Sequence, residues 1–110
     1  MAPESSFHYG IEKSEDEHGN RVTTVKCHGR LIAGNSGAIT EVIRPLIPDG
    51  GRIIIDVGDI SYLDSSGLGA LVGLKASAMR QGYCILELVN MTPRILELLR
   101  ITRLTQLFSS

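Results

Sequence analysis

The chain has 110 residues, enough for one small domain with a single core and too few for two. Apolar residues make up 43% of it, which excludes a chain disordered along its whole length. A formal net charge of -1 excludes a broadly basic nucleic-acid-binding surface, and no apolar stretch is long enough to span a bilayer.

Residues 1–6, "MAPESS", are polar, lack the charged-then-apolar layout of a secretory signal, and are expected to be frayed. "FHYGIEKSE" predicts a first strand. "SEDEHGN" is a turn rich in acid, glycine and asparagine. "RVTTVKCHGRL" predicts a second strand, because its β-branched residues favour an extended backbone, and the pair is expected to form a hairpin. Cys27 and Cys84 lie in strand-like runs and belong to no C-x-x-C pair, so both are expected to be inert buried thiols in a reducing cytoplasm.

In "AGNSGAITEVIRPLIPDGG", Ile39, Val42, Ile43 and Leu46 recur at helical spacing, with Asn35 or Ser36 available as a cap. Pro45 is expected to kink or shorten this helix, and "PDGG" to end it. "RIIIDVGDI" has three consecutive isoleucines, the pattern of a strand buried on both faces. "SSGLGALVGLKASAMRQG" predicts a helix stopped at Gly82, and "YCILELVN" another buried strand. "TPRILELLRI" predicts a helix with Thr92 as N-cap, Pro93 at its first position, and Ile95, Leu96 and Leu99 on one face. Leu104, Leu107 and Phe108 are expected to close the core. The order β-β-α-β-α-β-α implies an α/β domain, with helices packed on a mixed sheet.

The stretch "YLDSSGLGALVGLK" carries the chemistry. Ser65 and Ser66 stand where a strand feeds a helix, beside backbone N–H groups that lack intrahelical partners and carry the positive end of the helix dipole. A hydroxyl there can cap the helix, and a phosphate there would be favoured. Plain capping by Ser65 or Ser66 leads on residue chemistry alone. The glycines do not match a P-loop, and Gly67, Gly69 and Gly73 give only a weak G-x-G-x-x-x-G dinucleotide pattern. A serine nucleophile would need a base, but His8, His18 and His28 all lie in the hairpin region, and G-x-S-x-G is absent. Leu68, Ala70, Leu71, Val72 and Leu74 make the helix start apolar on more than one side. One stripe is core, and the other reads as a partner surface.

"IIIDVGDISYLDSSGLGALVGL" resembles the signature of STAS domains, and the likeness extends through "VKCHGRL" and "GYCILELVNMTPRILELLRITRLTQLF". The D-S-S-G-L-G hexapeptide is typical of the family's bacterial anti-sigma factor antagonists. The resemblance implies the STAS fold: a mixed sheet of four or five strands, with helices mainly on one face and the hexapeptide at the N-terminus of the second main helix. It also implies a binding module and kinase substrate rather than an enzyme, with no cofactor or metal of its own. The implied partner is an anti-sigma factor serine kinase of the histidine-kinase-like ATPase type, which brings the ATP and Mg²⁺. Phosphorylation of Ser65 would end binding, and a PP2C-type phosphatase would reverse it. Asp64, Ser66, Gly67, Leu68, Gly69 and Leu71 are the implied partner-binding residues. No nucleic acid or membrane insertion is expected, and a homodimer stays open. The alternative is a non-phosphorylated STAS subunit of a stress-signalling scaffold or of a lipid-transporter complex.

Two positions depart from the family pattern. Its second strand often runs into G-x-L-D, whereas "GRLI" puts Ile32 at the aspartate position and removes an acidic neighbour of Ser65, with Asn35 as a partial replacement in polarity. Arg103 stands where glycine is usual after the last helix.

Overall fold

Period-two patterning and a tight polar turn account for the opening hairpin. The computed structural model describes residues 7–108, so the expectation for residues 1–6 lies outside the described residues. Strands β1 (Phe7–Glu15) and β2 (Arg21–Leu31) pair antiparallel, with Phe7 opposite Gly29 and Glu15 opposite Arg21. Asp16 holds the turn: its Oδ1 accepts from the N–H groups of His18 and Asn20, and Gly19 takes the positive φ that the turn needs.

Helix α1 (Ser36–Ile43) is shorter than its apolar pattern suggests. Pro45 ends the α-helical hydrogen bonding, and the chain continues as a 3-10 turn over Arg44–Asp49 that buries Ile47. Neither expected side-chain cap forms on α1. Asn35 occupies the N-cap position, but its Oδ1 accepts from the N–H of Ile32 and its Nδ2 donates to the carbonyl of Arg30.

Strand β3 (Gly51–Leu63) runs parallel to β2 on one side and to β4 (Cys84–Val89) on the other, so the sheet order is β1-β2-β3-β4. Each β3–helix–β4 or β2–helix–β3 crossover places its helix over the sheet. Helix α2 (Ser65–Gln81) ends at Gly82, in the left-handed conformation expected of it. Helix α3 (Pro93–Ile101) begins as predicted, the Thr92 hydroxyl accepting from the N–H of Ile95. A single turn, α4 (Thr105–Phe108), completes the chain, with Leu104 and Phe108 packed against the core.

The core lies between the helices and one face of the sheet. Ile53, Ile55 and Val57 of β3 are buried, whereas Ile54 is half-buried and Ile85 of β4 is 54% exposed. The expectation of strands buried on both faces is therefore corrected. The isoleucine run reflects β-branched stiffness in a central strand rather than a second helical layer. In α3, Ile95 and Leu99 are buried but Leu96 faces outward. Cys27 and Cys84 are free and buried; burial pushes the Cys27 thiol up to about 12, with a smaller contribution from Asp56. Among the described residues no helix is long and apolar enough to cross a membrane.

Candidate functional site

The end of β3 sets the position of the serine turn. Lys26 and His28 of β2 face Asp56 and Asp59 of β3, and Gly29 and Arg30 face Ile60 and Tyr62. Each step leaves one extra β3 residue, so β3 carries two bulges. Their effect is visible in the burial pattern. The inward residues advance by two through Ile53, Ile55 and Val57, then by three to Ile60 and Leu63. Asp56 braces the first bulge by accepting from the N–H of Gly58 and from Asn90 Nδ2. Leu63 therefore ends the strand pointing into the core, and the next residue leaves it.

That residue is Asp64, and it is the N-cap of α2. The capping role expected of Ser65 or Ser66 is corrected. Asp64 Oδ1 accepts from the N–H of Gly67 at 2.8 Å, and Oδ2 accepts from the N–H of Ala33 at 3.0 Å. Its own N–H donates to the carbonyl of Leu31 at 3.3 Å. One carboxylate thus ties the helix start to the β2–α1 loop. The Gly67 N–H first, then those of Ala33 and Ser66, hold its carboxyl below the usual aspartate value of 3.8, against an opposing effect of desolvation.

Ser65 and Ser66 are the first two helical residues, and both are exposed. Among the described residues neither hydroxyl has a hydrogen-bond partner, so both are presented to solvent at the positive end of a 17-residue helix. Gly67 is buried against β2. A Cβ there would stand 2.2 Å from the Leu31 carbonyl oxygen and 2.9 Å from Leu63 Cδ1, so only glycine fits.

The implied partner-binding residues divide accordingly. Ser66 and Gly69 are exposed, and Asp64 is half-exposed. Gly67, Leu68 and Leu71 face inward, Leu68 at 7% and Leu71 at 0% exposure, and belong to the core with Leu74 and Ala78. The second apolar stripe expected on α2 is not a large hydrophobic surface. Its outward ridge is Ser66, Gly69, Gly73 and Ala76, spaced three or four apart. A Cβ at Gly69 or Gly73 would meet nothing within 4 Å, so these glycines leave the ridge bare rather than making room inside. The spacing of Gly69 and Gly73 from Ser66 was the sequence signal for this ridge.

Around the turn, Tyr62 is 45% exposed and carries the Arg30 guanidinium 5.1 Å from its ring centre. Ile32 is half-buried in the loop whose next residue, Ala33, bonds Asp64. Asp59 turns to the open face of the sheet, where its Oδ2 lies 2.6 Å from His28 Nδ1. His8 stacks on the His28 ring at 5.1 Å, and no histidine among the described residues hydrogen-bonds either serine. No group of side chains among the described residues could hold a metal ion.

The STAS domain family model matches residues 13–110. The chain belongs to the STAS domain family. It is 34% identical over 80 residues to the anti-sigma-B factor antagonist of Bacillus subtilis, covering 73% of this chain and 72% of that one. Its fold is similar to that of an anti-sigma factor antagonist from Mycobacterium paratuberculosis, with a TM-score of 0.76 and 20% identity, over 99% of this chain and 88% of the other. It is also similar to the Bacillus cell fate determinant SpoIIAA in its phosphorylated form, with a TM-score of 0.70 and 20% identity, over 92% and 88% of the two chains. The STAS fold expected from the hexapeptide is therefore the fold observed, with four strands.

Proposed function

We propose that this STAS domain is an anti-sigma factor antagonist that binds an anti-sigma factor serine kinase and is switched off by phosphorylation of Ser65. The observation that carries the reading is the division of the hexapeptide. Asp64 and Gly67 fasten the turn from within, and Ser65 stands free at the helix start. The curated relative's role as an anti-sigma-B factor antagonist supports the same assignment.

The chemistry follows from charge. Ser65 supplies a hydroxyl acceptor, and the kinase supplies ATP and Mg²⁺. The helix N-terminus accommodates the new phosphate within this protein. In a docked complex the phosphate brings nearly two negative charges beside Asp64 and against the bare ridge of Ser66, Gly69 and Gly73. An unpaired charge buried in an interface costs several kcal/mol in rough terms, enough to release a micromolar partner. Gly67, Leu68 and Leu71 support this surface from inside. A PP2C-type phosphatase would restore binding, and the cytoplasm is the compartment in which such an exchange takes place.

Incubation with the cognate kinase, ATP and Mg²⁺ tests the reading by intact mass and peptide mapping. One added phosphate, on Ser65, is expected. A phosphate confined to Ser66, or none from a kinase that binds tightly, overturns it and favours a non-phosphorylated STAS subunit of another assembly.

A further inference from the structure

Strand β1 is an edge of the sheet, and among the described residues nothing pairs with its outer side. It runs nine residues, pairs with β2 without a register shift, and contains no proline. Apart from the ladder to β2, none of its backbone groups has a hydrogen-bond partner among the described residues. Natural edge strands are commonly blunted by shortness, a bulge, proline or charged side chains; β1 has none of the first three, and its charged residues Glu12, Lys13 and Glu15 are the ones that a partner strand must leave opposite uncharged positions. Its helix-side face is also uncovered. Tyr9 and Ile11 sit opposite Cys27 and Val25, which are buried, yet are themselves 41% and 42% exposed because β1 lies beyond the reach of the helices.

We propose that β1 is a homotypic interface, in which β1 of a second copy pairs antiparallel with it about a two-fold axis through Ile11. The two four-stranded sheets then become one continuous sheet. The strand's own sequence selects this partner and this register. Ile11 is the central residue of Phe7–Glu15, so an axis there pairs all nine residues. On the helix-side face, Ile11 meets Ile11 of the second copy, and each Tyr9 meets Lys13 of the other copy, a cation over or beside an aromatic ring. On the opposite face, His8 meets Ser14 and Gly10 meets Glu12 of the second copy. No like charges are directly opposed, and Glu12 already has Lys26 Nζ at 3.4 Å. Moving the axis to Glu12 opposes two glutamates, and moving it to Lys13 opposes two lysines. An axis at Gly10 leaves Ser14 and Glu15 unpaired.

Sedimentation velocity on the full chain, from micromolar to hundreds of micromolar, tests the interface. A twofold rise in mass is expected, with Ile11→Asp remaining monomeric while keeping the parent's far-ultraviolet circular-dichroism spectrum. Under mild oxidation, Ile11→Cys should form a disulfide-linked dimer and Gly10→Cys should not. The native thiols do not compete, because both are buried. A monomer at every concentration, or a dimer that Ile11→Asp retains, overturns the interface. Cross-linking of Gly10→Cys as fast as Ile11→Cys overturns the register. None of these outcomes depends on Ser65 or on a kinase.

Discussion

Gly67 and Gly69 are two residues apart in one helix, and they do opposite things. Gly67 lies against the carbonyl of Leu31, where a methyl group would overlap backbone atoms. Gly69 faces open space. The rest of the hexapeptide divides in the same way. Asp64, Gly67 and Leu68 turn toward the protein and set the start of α2, whereas Ser65, Ser66 and Gly69 turn away from it. The contrast teaches that a short motif can hold two kinds of constraint. One half makes the turn possible, and the other leaves a surface that a second protein can approach.

Substituting the inward glycine should have the largest effect on stability. Gly67→Ala forces α2 away from β2. Overpacking of this kind costs about 3 kcal/mol or more, and the better helix propensity of alanine returns only about 1. Denaturant melts should show a net loss of about 2 kcal/mol. An unchanged midpoint would mean that the helix start moves freely, and the division would fail.

The outward glycine should respond in the other direction. Gly69→Ala meets no neighbour, so helix propensity should raise stability by about 1 kcal/mol. The same methyl group stands on the proposed docking ridge, so calorimetry should show weaker kinase binding. A variant that is more stable and binds equally well would remove Gly69 from the partner surface.

At one position the backbone would suit glycine and another residue stands there. After α3, the N–H of Arg103 donates to the Arg100 carbonyl and the N–H of Leu104 to that of Leu99, a Schellman closure that puts Arg103 at φ +62°. Glycine adopts this conformation without the strain of a Cβ. Arg103→Gly should therefore stabilise the chain by roughly 0.5–1 kcal/mol, read from the same melts. Here glycine would serve backbone conformation, which neither Gly67 nor Gly69 does.

Acid tests the other inward member. The folded carboxyl of Asp64 lies below its usual 3.8, so its stabilisation is complete well above that value and is lost as pH falls through the lower folded value. Asp64→Asn should flatten this part of the stability profile. An equally steep acid loss in the variant would assign the effect elsewhere, with Asp16, also lowered, as the next group to replace.

Local rules made much of the fold legible. The hairpin follows from alternation and turn residues, and the start of α3 from Thr92 and Pro93 in sequence. Gly82 marked the end of α2 for the same reason. What was not legible depends on distant contacts. Three adjacent residues could each cap α2, and the choice of Asp64 is made by Leu31 and Ala33 across the sheet. The extension of β3 through Gly58, Asp59 and Ser61 runs against strand propensity and is held by its pairing with β2. Leu68 and Leu71 read as candidates for either face, because apolar residues surround the helix start, and only packing against the sheet places them inside.

The outward half of the motif is tested most directly by calorimetric titration of the anti-sigma factor kinase with unmodified protein and with protein phosphorylated stoichiometrically on Ser65. The account predicts tight binding of the unmodified form, and a loss of about a hundredfold or more on phosphorylation, about 2.7 kcal/mol. Equal affinities for the two forms, with both proteins folded, would contradict it.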